Sequence, residues 1–144
     1  SSIQESVHGF ISSLGMQWDR EIFEDPLQVV RVTFLHHALP GMPLLELIEP
    51  ASPQSHIIGF LKRGGGLHHL CYETDTLDAQ LESGIASGAV LVRKPAPAVA
   101  FEGRNIAWLC TAERLLIEFL QRKPSASLEI AQITAPGQSE AVAQ

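Results

Sequence analysis

The chain has 144 residues, a formal charge of −6, 45% hydrophobic and 18% charged residues, which is the make-up of one ordinary globular domain. The acidic balance excludes a nucleic-acid phosphate tracker, which needs a basic face, and no apolar run reaches the roughly 18 residues of a membrane span. Cys71 and Cys110 both fall in strand-like apolar runs, so two buried, unbridged thiols in a reducing, cytoplasmic setting are expected, and no secretory signal is read at the N-terminus.

Ser2 and Glu5 have the spacing of a capping box. Ile3, Val7, Phe10, Ile11 and Leu14 then recur at helical spacing, and Gly15 ends the helix. Residues 16–23 alternate loosely and read as a strand, followed by a turn at Asp25-Pro26. Residues 29–35 are rich in β-branched side chains and predict a second strand, 36–43 a loop, and 44–49 a third strand. Ser52-Pro53 predicts a cap and first helical position for a short helix carrying Ile57, Ile58 and Leu61. Lys62 and Arg63 suit the negative end of that helix, and three glycines at 64–66 stop it. A strand at 67–74, a helix over 76–88 with Leu77, Leu81 and Ile85 on one face, and strands at 89–93, 105–110 and 115–121 complete the pattern. From Arg122 the composition turns to Pro, Ser, Ala, Gln and Gly, predicting a flexible extension over 122–144 with at most a weak element at 128–133.

The pattern repeats. Ile3 falls on Leu77, Val7 on Leu81 and Ile11 on Ile85, an offset of 74 residues; LLELIE at 44–49 falls on LIEFLQ at 116–121, an offset of 72. The second half runs strand, helix, then three strands. The first half runs helix, then three strands, so its opening strand is missing and the chain reads as truncated. The fold expected is α+β, a single domain over 1–121 built from two modules, residues 1–63 and 64–121.

Alternation along a strand puts Glu46 on one face with Leu44 and Ile48, and Glu118 on one face with Leu116 and Leu120. A carboxylate among leucines is costly unless it is paired, protonated or bound to a cation. Either glutamate alone reads as a partly exposed edge residue. Together they occupy equivalent places in two repeats, and a pseudo-twofold fold brings them to one axis, where two carboxylates suit a divalent metal. His68 and His69 are consecutive on a strand, so one of the two at most faces that axis, as a third ligand. By the same repeat, a fourth ligand would lie on the missing strand. His36 and His37 read as solvated, His8 and His56 as surface residues on helices, Arg104 as a solvated turn residue and Trp108 as core. The glycine run follows a helix and precedes a strand, the reverse of a phosphate-binding loop.

The run LLELIEPASPQSHIIGFLKRGGGLHHLCYETDTLDA, most specifically residues 64–78, resembles the glyoxalase/bleomycin-resistance/dioxygenase (vicinal oxygen chelate) superfamily, and within it the methylmalonyl-CoA epimerase-like members. VVRVTFL, NIAWLC and LLIEFL fit the same pattern, and the resemblance covers residues 2 to 121. It implies paired βαβββ modules forming a cupped, partly open barrel around a divalent ion. It places metal ligands on Glu46, His69 and Glu118 and leaves the family's first-strand histidine without a counterpart. The donor set suits Co²⁺, Mn²⁺, Ni²⁺ or Zn²⁺. The activity implied is a metal-dependent epimerase, isomerase or lyase that stabilises an enolate of an acyl-CoA or related small carbonyl substrate, with Glu118 or Glu46 as the catalytic base. A glyoxalase I-type lyase and a metal-free, antibiotic-type binding protein are the other readings; an extradiol dioxygenase would leave Glu46 superfluous. Family members commonly pair modules between chains, which implies a homodimer.

Overall fold

The computed structural model describes residues 2–123. Helix α1 (Ile3–Leu14) opens with the expected capping box: the Ser2 hydroxyl accepts from the Glu5 amide, and the Ser2 amide donates to Glu5 Oε2 at 2.8 Å. Gly15 closes it with φ 64°, a left-handed conformation that glycine adopts without strain. The first sheet contains β1 (Gln17–Trp18), β2 (Phe23–Asp25), β3 (Val30–His36) and β4 (Leu45–Pro50). Both β1 and β2 pair antiparallel with one edge of β3, and β4 pairs with its other edge. After α2 (Ile58–Lys62) come β5 (Leu70–Thr74), α3 (Leu77–Ala86), β6 (Val90–Pro97), β7 (Asn105–Cys110) and β8 (Leu116–Gln121). These last strands form a second sheet in the order β5-β8-β7-β6, with β5 parallel to β8.

The two halves are related as the repeat predicted. In the second sheet β8 is flanked by both β7 and β5. In the first, β4 pairs with β3 alone among the described residues, so the place equivalent to β5 has no strand. The registers also match: Glu46 lies opposite Phe34, and Glu118 lies opposite Trp108.

Strand alternation sorts the side chains of each sheet into two sets. Ile3 and Val7 of α1 pack with Leu35, Leu45 and Leu47 on the outer face of the first sheet. Leu77 and Leu81 of α3 pack with Ala107, Leu109 and Phe119 on the outer face of the second. The opposite parity, with Val32, Phe34 and Ile48 from one sheet and Ile106, Trp108 and Leu120 from the other, lines the inner faces. The turn between β6 and β7 bridges the halves: Ala100 packs against the Val30–Val32–Ile57 cluster, and the Phe101 ring lies 5.4 Å from Phe34.

Several expected elements differ. The strand over 16–23 is broken into β1 and β2, with Arg20 at φ 65° between them. Thr33 on β3 fills the break: its hydroxyl donates to the Glu21 carbonyl and accepts from Trp18 Nε1 at 2.7 Å. Ser52 does not cap a helix. Its hydroxyl accepts from the Gln54 amide in a tight turn, α2 starts only at Ile58, and His56 therefore sits in the turn before the helix. The strand expected at 89–93 runs on to Pro97 through two register irregularities. Both cysteines are unbridged, but Cys71 is exposed and Cys110 only partly buried. Cys71 lies on β5, an edge strand with no neighbour on its outer side among the described residues, which leaves it exposed. Arg122 and Lys123 continue past β8, the Arg122 amide bonded to the Thr74 carbonyl at 2.8 Å; residues 124–144 of the expected extension, including 128–133, lie outside the described residues.

Leu35 is fully buried between α1 and the first sheet. Leu35→Ala should cost about 2–5 kcal/mol of stability, read as a lower denaturant midpoint at unchanged slope. A loss under about 0.5 kcal/mol, the level of a surface substitution, would contradict the packing of α1 described above.

Candidate metal centre

Three chain segments deliver the site. Glu46 and Glu118 come from the inner faces of β4 and β8, each aimed inward by the same register against an aromatic partner on β3 or β7. The histidines come from the approach to β5. Gly64, Gly65 and Gly66 all have positive φ and turn the chain out of α2 and into the second sheet. Residues 67–69 precede the hydrogen-bonded ladder, which starts at Leu70.

His69 Nε2 lies 3.1 Å from Glu46 Oε2 and 3.5 Å from Glu118 Oε2. The ligand-type atoms of all three side chains fall within 4.8 Å of one another. The site is shielded: the side chains of His69 and Glu118 are 7% and 3% exposed. Buried Glu118 Oε2 has no hydrogen bond, and His69 Nε2 approaches it only at the longer 3.5 Å. A buried carboxylate oxygen without a partner is costly and rare.

A divalent ion fits this arrangement. Ligand atoms each about 2.1 Å from one ion lie roughly 3.0 Å apart at right angles and roughly 3.4 Å apart at the tetrahedral angle. The two separations from His69 Nε2 match these values, and an ion there would give Glu118 Oε2 its missing partner. Two carboxylates and one imidazole form a mixed O/N set that suits first-row divalent metals.

Without an ion, protons must do part of the same work. Burial pushes the Glu46 carboxyl up, His69 opposes that rise, and the neighbouring Glu118 charge adds to it. Burial disfavours a charge on His69, but the neighbouring Glu118 and Glu46 carboxylates outweigh this and lift it to about 9. His68 goes the other way. Burial, with the charges of His69 and His56, lowers it to about 4, so it is neutral at ordinary pH.

The site opens into a narrow pocket between the two sheets, a cavity of about 30 Å³. Its apolar wall includes Val32, Ile48, Ile57, Phe101 and Trp108. No lysine or arginine lines it among the described residues.

The sequence placed Glu46, His69 and Glu118 together, and the geometry brings them together. It expected His68 and His69 on opposite faces, yet both line the pocket, their Nδ1 atoms 3.1 Å apart. Strict alternation fails there because the two residues lie ahead of the strand's ladder. His56, expected on a helix surface, also lines the pocket. His36 lies outside it, 3.4 Å from Asp19. Arg104 is not free: it pairs with Glu73 at 2.7 Å and stacks over Phe101. Trp108 is buried, as expected of core, but it is also a wall of the site, its ring 4.7 Å from that of His69. The available signal was its repeat position, since Phe34 and Trp108 stand 74 residues apart and each faces a glutamate.

Fold and site define a class. Residues 1–108 match the model of the Glyoxalase/Bleomycin resistance protein/Dioxygenase superfamily, and the chain belongs to it. Among individual relatives, it is 31% identical over 80 residues to an ethylmalonyl-CoA/methylmalonyl-CoA epimerase of Cereibacter sphaeroides; the match covers 54% of this chain and 59% of that relative's length. A hypothetical protein from Bacillus halodurans C-125 superposes with a TM-score of 0.73 at 26% identity, covering 87% of this chain and 89% of the other. Methylmalonyl-CoA epimerase from Mycobacterium tuberculosis superposes with a TM-score of 0.71 at 24% identity, covering 89% and 85% of the two chains, and shares the fold. No helix among the described residues is long and apolar enough to cross a membrane.

The raised His69 value gives the metal-free protein a pH signature. A histidine lifted from 6.5 to about 9 stabilises the fold fully below pH 6.5, and the benefit is lost as pH rises through about 9. With a chelator present, the stability advantage of the wild type over His69→Asn should therefore shrink between those limits. An advantage that stays constant across the interval would contradict the ion-paired geometry.

Proposed function

We propose that the chain is a metal-dependent isomerase that inverts the carbon beside the carbonyl of an acyl-CoA of the methylmalonyl-CoA type. The unit proposed to do this is residues 1–121, with modules at 1–63 and 64–121. The observation that carries the reading is the convergence of Glu46, His69 and Glu118 inside an apolar pocket, with a buried carboxylate oxygen left unpartnered. The epimerase relative and the epimerase fold neighbour support the choice of substrate class.

Glu46, His69 and Glu118 would hold the ion, and a bound divalent ion supplies Lewis-acid polarisation of a carbonyl oxygen, which acidifies the adjacent C–H. The chain's own groups do the rest. Val32, Ile48, Ile57 and Trp108 present apolar walls suited to a short acyl group and keep water from the reacting carbon. Glu118 takes the proton from that carbon as general base. Inversion requires a proton returned to the other face. Glu46 enters the pocket from the opposite sheet, and burial raises its affinity for a proton, so it is placed to return one. A metal-free binding protein fits less well, because it has no use for two buried carboxylates around one imidazole.

The test is solvent deuterium exchange at the carbon beside the thioester of methylmalonyl-CoA, with and without added Co²⁺. The wild type should exchange when loaded. Glu118→Gln, which keeps the shape and removes the base, should exchange about 10²- to 10⁴-fold more slowly. No exchange by the loaded wild type would overturn the substrate class. Equal exchange by the variant would overturn the assignment of the base.

A further inference from the structure

The geometry points to His68 as a positioning residue: its Nδ1 accepts the Nδ1 proton of His69 and so fixes His69 with the Nε2 lone pair turned toward Glu46 and Glu118. The inference rests on the metal reading above and adds a residue to it.

The argument is one of proton counting. The two Nδ1 atoms are 3.1 Å apart, a hydrogen-bond distance. A ring nitrogen donates only when it carries a proton and accepts only when it does not, so one of the pair is protonated and the other bare. His69 Nε2 is the atom that faces the two carboxylates, 3.1 Å from Glu46. To bind a cation that nitrogen must be bare. A neutral imidazole has one proton, which then sits on His69 Nδ1. His68 Nδ1 must accept it, and the single proton of His68 must be on its own Nε2.

His68 is also built in, not merely adjacent. The Phe60 ring meets it edge-on at 5.0 Å, Trp108 lies 6.2 Å away, and His69 itself meets it edge-on at 5.3 Å. Aromatic neighbours from α2 and β7 thus set the angle at which the acceptor is offered. Histidines that bind metal usually donate their second nitrogen to a carboxylate, a carbonyl or water, and such partners fix the ring and raise its basicity. Here the acceptor is an uncharged imidazole, which orients His69 without adding a third carboxylate to the site.

The experiment compares Co²⁺ affinity, by competition with a chromophoric chelator, in the wild type and two variants. His68→Phe keeps an aromatic ring against Phe60 and Trp108 but has no acceptor; it should bind Co²⁺ about 10- to 100-fold more weakly. His68→Asn, whose amide oxygen can accept, should recover most of that loss. In Zn²⁺-loaded wild type, ¹⁵N NMR should show His68 protonated at Nε2 and bare at Nδ1, a readout that needs no variant to fold. Wild-type affinity in His68→Phe, or a proton on His68 Nδ1, would overturn the inference alone. A wild type that binds neither Co²⁺ nor Zn²⁺ would overturn the metal reading together with it.

Discussion

Two carboxylates held beside one imidazole in a sheltered cup cannot all keep their ordinary charge states. Removing an anion from water costs several kcal/mol unless an opposite charge or a hydrogen bond replaces the lost hydration. Among the described residues the chain meets this constraint with His69, and that partner is insufficient: it reaches Glu46 at hydrogen-bond distance but leaves one oxygen of Glu118 unpaired. The rise of both Glu46 and His69 toward their protonated forms is the electrostatic expression of the same shortage of positive charge. A divalent cation at this point would relieve it, and would do so where the two halves of the molecule meet.

The architecture can be read as the means of presenting that site. α1 and α3 occupy the outer faces, leaving the inner faces free to line a pocket. The matched registers of β3–β4 and β7–β8 send one glutamate inward from each sheet, each beside an aromatic ring. The glycine-led turn before β5 adds the histidines, and the β6–β7 turn closes the other side by packing on the first sheet. The contributions of the halves are unequal: the second gives His69 and Glu118, the first only Glu46. This follows from the strand arrangement, because among the described residues β4 lacks the neighbour that β8 has in β5.

Much of this was legible in the sequence, and most of the failures share a cause. The capping box at Ser2 and the Glu46–Glu118 equivalence depend on local chemistry and on repeat spacing, both of which are written directly in the chain. Most of the readings that failed concern residues at the ends or edges of elements. Ser52 looks like a helix cap but spends its hydroxyl on a turn. His68 and His69 look like alternating strand residues but precede the ladder, so both enter the pocket. Cys71 looks buried because its run is apolar, yet β5 is an edge. Trp108 was placed correctly in the core, while its second role depended on which face of β7 turns inward, and periodicity does not decide that.

The account stands on the joint capture of one ion by Glu46, His69 and Glu118. The most direct measurement is anomalous X-ray diffraction at the cobalt edge from crystals grown with Co²⁺. The prediction is a single strong anomalous peak within about 2.3 Å of a carboxylate oxygen of each glutamate and of His69 Nε2, as first-row metal–ligand bonds require. No peak at that position, or a peak touching fewer than two of the three side chains, would contradict the account.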